Sequence, residues 1–216
     1  MSSSQTGILG NNRGKIGPVV ACTRDGKTYF RIYVIPRNPR TAAQVIQRAR
    51  YSILGHAISK NYTPVRIGFQ NKRTPLGSAY TAAMRANLAN GAVTVSGTDV
   101  VLDPTRFLIS CGPGIAVTAT AAVSANNTVT LTWPDNSGIS PSTLSTDRVC
   151  AALYNPSRYE EYAAYDTDTA LRGDETLTFS YPPLWSGDQA HLYIFTASPD
   201  GRIVSNSLFV ATLQLT

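Results

Sequence analysis

Apolar and polar positions alternate in the first strand-like runs of the chain. Over residues 28–35, Tyr29, Arg31, Tyr33 and Ile35 fall on one side and Phe30, Ile32 and Val34 on the other, because successive strand side chains point to opposite faces. Residues 16–22 form a second β-rich run. The spacer Arg24-Asp25-Gly26-Lys27 contains an Asp-Gly pair tolerant of positive φ, so the two runs predict a hairpin. Its Phe30 face is the expected buried side. The period then changes. The two prolines of Pro36-Arg37-Asn38-Pro39 force an extended stretch. Thr41-Ala42-Ala43-Gln44 has the form of a capping box, which predicts a helix starting at Thr41. Along it Val45, Ile46, Ala49, Ile53, Ala57 and Ile58 recur at helical spacing as an apolar stripe, while Gln44, Gln47, Arg48 and Tyr51 line another face. Residues 60–74 read as basic loop or short strand. An alanine-rich helix is expected over 75–89, stopped by Asn90-Gly91.

From Val93 onward short β runs are punctuated by Gly, Pro, Asn and Asp, at 100–102, 106–111, 115–124, 128–133, 148–154, 176–181, 191–197 and 208–213. Runs at this spacing predict an antiparallel sandwich. Trp133 ends an alternating strand as a core plug, and Pro199-Asp200-Gly201 closes a hairpin between the last two long strands. With the boundary placed near Gly112-Pro113-Gly114, the expected fold is an α+β N-terminal module over residues 1–110, made of a β-hairpin plus two helices, followed by an all-β sandwich over 111–216.

The composition, 216 residues with 43% hydrophobic and 15% charged, is that of a folded chain rather than a disordered or collagenous one. No run approaches the roughly 18 apolar residues of a membrane helix, and the first residues lack the blocks of a secretory signal. The expectation is a soluble protein, cytoplasmic during synthesis and without a membrane partner. Cys22, Cys111 and Cys150 are odd in number and far apart, so buried free thiols are expected rather than disulfides or a zinc site. The net charge of +6 conceals a division. Residues 1–110 carry fifteen Lys/Arg against three acids, and residues 111–216 carry four against ten. Such asymmetry points either to a polyanion, nucleic acid above all, or to an acidic protein neighbour.

Candidate chemistry is sparse. Gly10-Asn11-Asn12-Arg13-Gly14-Lys15-Ile16 has a spacer of three where a phosphate-binding P-loop needs four, and Ile16 stands where that loop needs a hydroxyl. His56 and His191 have no neighbouring residues that would build a triad or metal site. Glu160-Glu161 and the Asp166, Asp168 pair lack the glycine and glutamate positions of a calcium loop and read as solvated acidic loop. No catalytic residue, metal site, cofactor or small-molecule substrate is expected. The strongest signal is the basic set Arg13, Lys15, Arg24, Lys27, Arg31, Arg37, Arg40, Arg48 and Arg50, interleaved with Tyr29, Tyr33 and Tyr51. Guanidinium groups pair with phosphates and tyrosines stack on unpaired bases. The same arginines equally suit bridging to the acidic half of a neighbouring copy.

Particular strings also resemble a known family. Gly14-Lys15-Ile16-Gly17, then Asn38-Pro39-Arg40-Thr41 with Gln44 and Arg48, resemble the start of an uncharacterised family found mostly in Bacteroidetes and their phages. Ile109-Ser110-Cys111-Gly112-Pro113-Gly114, Thr132-Trp133-Pro134-Asp135-Asn136-Ser137, Thr146-Asp147-Arg148-Val149 and Ser205-Asn206-Ser207 look like its later landmarks. The opening pattern is also similar to segments of small structural proteins of tailed phages. The resemblance implies a phage or prophage setting and a fibronectin/Ig-like second domain, and it supplies no activity. The expected function is therefore a non-catalytic structural or accessory protein, such as a virion or assembly component. Its partners would be other copies of itself or neighbouring structural proteins. The alternative is a nucleic-acid-binding protein gripping phosphates through the hairpin and the Thr41 helix.

Overall fold

A computed structural model describes residues 14–24, 27–35, 40–72, 77–97, 99–158 and 160–216. The Asp25-Gly26 turn and residues 36–39 lie outside them. The chain divides into two compact units, Met1–Thr41 and Ala42–Thr216.

The first unit is a three-stranded antiparallel meander of β1 (Gly14–Ile16), β2 (Val19–Arg24) and β3 (Lys27–Ile32). The run expected as one strand over 16–22 is interrupted at Gly17, whose φ of +58° is left-handed and turns the chain back on itself. Pairing extends past β3, where the Tyr33 amide donates to the Pro18 carbonyl at 2.7 Å. Ala21 is the only buried side chain among the described residues of this unit. The Phe30 face, expected to be buried, is open: Phe30 is 45% and Ile32 75% exposed. Alternation identified the apolar face correctly, but this unit supplies no second layer to cover it.

The second unit begins with α1 (Ala42–Lys60), α2 (Tyr62–Gly68) and α3 (Ala79–Ala89). Burial in α1 is confined to its second half, at Leu54, Gly55, Ala57 and Ile58, and Val45 of the expected stripe is 51% exposed. Helix α2 occupies part of the stretch expected as loop or short strand. Its Pro64 stands in the first turn, where the missing N–H leaves no bond unmade. Helix α3 starts at Ala79 rather than 75, because the Ser78 side chain accepts the Thr81 amide as an N-cap. It ends at Asn90 with Gly91 at φ +68°.

A hairpin of β4 (Val93–Ser96) and β5 (Asp99–Leu102) follows. Residues 106–111 and 115–118, expected as strands, join no strand ladder. Buried Asn87 on α3 stands in for one: its Nδ2 donates to the Leu108 carbonyl at 2.8 Å and its Oδ1 accepts the Leu108 amide at 2.7 Å.

The remaining strands are β6 (Ala121–Ala125), β7 (Thr128–Thr132), β8 (Arg148–Tyr154), β9 (Ala164–Leu171), β10 (Thr176–Ser180), β11 (Gln189–Ala197) and β12 (Leu208–Gln214). They form two antiparallel sheets, ordered β6-β7-β10 and β9-β8-β11-β12. Strand β9 takes the place of the expected acidic loop. Among the described residues there are three α-helices and twelve strands in four antiparallel sheets, a mostly β fold with some helix.

Two cores explain how the parts join. Val129 and Leu131 of β7 and Leu177 and Phe179 of β10 meet Val149, Ala151 and Leu153 of β8 and Leu192 and Ile194 of β11, with Trp133 and Trp185 filling the ends. The other face of the same four-stranded sheet, Cys150, Ala152 and Tyr154 with Tyr193 and Phe195, packs on Leu54, Ala57, Ile58, Val65, Phe69 and Ala83 of the helical region and on Phe107 and Ile109. The sheet is thus a middle layer, covered on both sides. The expected boundary at 110/111 does not coincide with the division at 41/42, because the helices have no core apart from this sheet. Gly112 and Gly114, read as a boundary, lie packed against Val204, to whose carbonyl the Gly114 amide donates at 2.9 Å.

Cys150 is buried, and desolvation pushes its thiol up to about 12, whereas Cys22 and Cys111 are half-buried; all three are free. No helix among the described residues is long and apolar enough to cross a membrane.

Candidate partner-binding surfaces

The registers of the meander sort its side chains. Lys15 pairs with Val20, Val20 with Arg31, and Cys22 with Tyr29, so Lys15, Tyr29 and Arg31 share one face. Tyr33 joins them, with the Lys15 Nζ 4.1 Å from its ring centroid, a cation–π contact. The opposite face carries Ile16, Val19, Ala21, Thr28, Phe30 and Ile32 and, among the described residues, no charged one. The structure therefore brings Lys15, Tyr29, Arg31 and Tyr33 together. Arg24 and Lys27 stand opposite each other where β2 and β3 meet their connection. Arg13 and Arg37 lie outside the described residues.

Arg40, Arg48 and Tyr51 are arranged differently. Arg40 is exposed and holds a left-handed φ of +50°, a conformation costing an L-residue about 1–2 kcal/mol. Arg48 and Tyr51 lie on α1 with Gln44, Gln47 and Ser52, where the five line a shallow open depression. This is the polar helix face read from the sequence, extended by Ser52. It is accessible because the first half of α1 has no buried residue. Phe30, Ile32 and Val34, on the face expected to be buried, are instead exposed.

Several other ionisable groups are engaged within the second unit. The His191 Nδ1 lies 3.0 Å from Thr212 Oγ1 across β11 and β12, and burial lowers its pKa. Glu161 accepts the Trp185 indole N–H. The Asp166 carboxylate accepts the amides of Asp168 and Thr169, and Asp168 pairs with Arg148 at 2.7 Å. Asp188 is held below the usual carboxylate range, first by its bond from Arg158 at 2.6 Å and then by Asn155. No group of three or more His, Cys, Asp and Glu among the described residues is placed to hold a metal ion. Residues Gly14–Ile16 of the P-loop-like string form strand β1.

The four later segments on which the family resemblance rests are joined by one hydrogen-bond network, in which Arg172 touches two of them directly and reaches the other two through Thr196 and Ser205. This arginine is 1% exposed and pairs with Asp147 at 3.1 Å. It also donates to the Ile115 carbonyl at 2.8 Å, to Thr196 Oγ1 at 3.3 Å and to Asn136 Oδ1, while its own carbonyl accepts the Trp133 indole at 2.9 Å. Thr196 continues the network, because its amide donates to Ser205 Oγ at 2.9 Å and Ser205 accepts Ser110 Oγ through its carbonyl at 2.6 Å. These segments thus fix loops to sheets.

A search of curated proteins finds no match to this chain. A protein-family model does match, over residues 11–211, and so takes in both the meander and the whole network around Arg172. The chain belongs to the Family of unknown function (DUF6266).

Proposed function

We propose that the protein is a non-catalytic structural or accessory component of a phage or prophage assembly, made in the host cytoplasm and carried in the virion. Its second unit is a rigid fibronectin/Ig-like body, and its basic meander and the exposed face of α1 make the partner contacts. The seven strands divided three and four between facing sheets, with a buried tryptophan between them, support the body's assignment. One observation carries the functional reading. Residues 1–41 hold seven Lys/Arg against one acid, which accounts for the whole net charge of +6, whereas residues 42–216 are balanced. The unit with almost no core of its own holds the uncompensated charge, as suits a segment that docks on something acidic. The partner is another assembly protein or a further copy of the chain.

The second reading, nucleic-acid binding, is favoured by Lys15, Tyr29, Arg31 and Tyr33 sharing one face, since cations and aromatic rings side by side grip a strand by phosphates and bases. Charge reversal at Arg31, Arg40 and Arg48 tests the surface common to both. The variant is expected to elute from a heparin column at distinctly lower salt, with its thermal unfolding unmoved within about 0.5 kcal/mol, because all three side chains are exposed. A large loss of thermal stability would show that these arginines hold the fold instead. For the nucleic-acid reading, affinity for single-stranded DNA should fall steeply with salt, with a slope set by the phosphates neutralised.

A further inference from the structure

We propose that the uncharged face of the β1-β2-β3 meander is a self-association surface that receives the same face of a second copy. The inference deepens the assembly reading and names an occupant for a surface the basic residues do not use. An antiparallel sheet with one charged and one apolar face normally covers the apolar face with a second layer. A sheet this small has no independent stability until that face is packed. Here Ile16 is 40%, Phe30 45%, Ile32 75% and Val34 69% exposed, and Ala21 is the only buried side chain among the unit's described residues.

Charge selects the occupant. Nucleic acid or an acidic protein would be drawn to the opposite face, where Lys15 and Arg31 lie; among the described residues the Phe30 face has no cation to offer them. An anionic lipid surface fits no better, since lipid binding needs cations flanking the apolar side. The same face of another copy meets the requirement. Apolar residues then meet apolar residues about a two-fold axis. With packed sheets about 10 Å apart and side chains beyond them, the two basic faces stand roughly 20 Å apart, about two Debye lengths at physiological salt. The four residues expose about 800–900 Å² over a pair, just under what a stable specific interface needs, so dissociation no tighter than the micromolar range is expected.

Sedimentation equilibrium of the full chain tests this, at about 50 µM and high salt, a concentration chosen to exceed that micromolar constant. The wild type is expected to be dimeric, F30E/I32E monomeric with dissociation at least about 100-fold weaker, and R31E, next in sequence but on the other face, still dimeric. Trp133 and Trp185 both lie in the second unit, so their fluorescence reports whether the body of F30E/I32E remains folded. A monomeric wild type overturns the proposal, as does a dimer that survives F30E/I32E, and so does a monomer that binds anionic vesicles. The two readings also fail separately. A monomer still retained on heparin removes the dimer alone, and a dimer whose heparin elution ignores charge reversal at Arg31, Arg40 and Arg48 removes the basic-face reading alone.

Discussion

Arg172→Ala should lower the stability of the second unit by about 3–5 kcal/mol, the cost typical of stranding one half of a buried ion pair. Asp147, 4% exposed, would be left in a buried site without its counter-charge, while Thr196 Oγ1 would lose its donor and the Ile115 carbonyl would keep only the Thr196 hydroxyl. For a domain at the lower end of the ordinary range of about 5–15 kcal/mol, this approaches complete unfolding. Urea denaturation followed by tryptophan fluorescence measures it. Replacing both partners by apolar residues, R172M/D147L, should recover much of the loss, because the penalty comes from the unpaired charge more than from the missing attraction. If Arg172→Ala costs less than about 1 kcal/mol, water reaches the pair and the network is not what joins the loops to the sheets.

Gly112→Ala is expected to cost about 2–3 kcal/mol by overpacking. A Cβ there would lie 2.1 Å from the Val204 carbonyl oxygen, a backbone atom that no rotamer change can remove. Relief requires separating the 110–114 segment from the β11-β12 connection, which would break the Gly114-to-Val204 hydrogen bond and strain that of Ser110 to Ser205. Gly138→Ala is the matched control. Gly138 has a φ of +78° with nothing within 4 Å of an added Cβ, so the change should cost only the left-handed backbone term, about 1 kcal/mol. Equal losses at the two positions would mean that conformation, not close approach, explains the glycine at 112.

How far such features were legible in the sequence depends on whether the signal is local. The alternation in 28–35 gave the two faces of β3, and the Thr41 signal with its polar face placed the start of α1 within a residue and picked four of the five residues lining its depression. Trp133 as a core plug followed from its place at the end of an alternating strand. What a single strand cannot reveal is whether its apolar face finds cover, and the Phe30 face, expected to be buried on its alternation alone, is exposed. The change of pattern and charge at 110/111 does not coincide with the division into compact units at 41/42. A contrary signal was present: residues 149–154 and 190–197 are almost continuously apolar, the mark of strands buried on both faces, and they required a third layer that only the helices supply. Strand β9 was hidden because Asp166 and Asp168 suggest loop, although Asp166 accepts backbone amides locally and Asp168 is paired to Arg148. The buried Arg172 network joins residues far apart in sequence, through contacts that no local pattern encodes.

The central claim, an assembly protein rather than a nucleic-acid carrier or an enzyme, is tested most directly by the native mass of the nuclease-treated full-length protein. It is measured at low and high salt with absorbance followed at 260 and 280 nm. An oligomer that survives high salt and carries no nucleic acid is the expected result, because the proposed contact between copies is apolar and leaves the basic faces for another partner. A monomer that holds nucleic acid at low salt and sheds it at high salt would contradict that account and make the basic face a phosphate-binding surface instead.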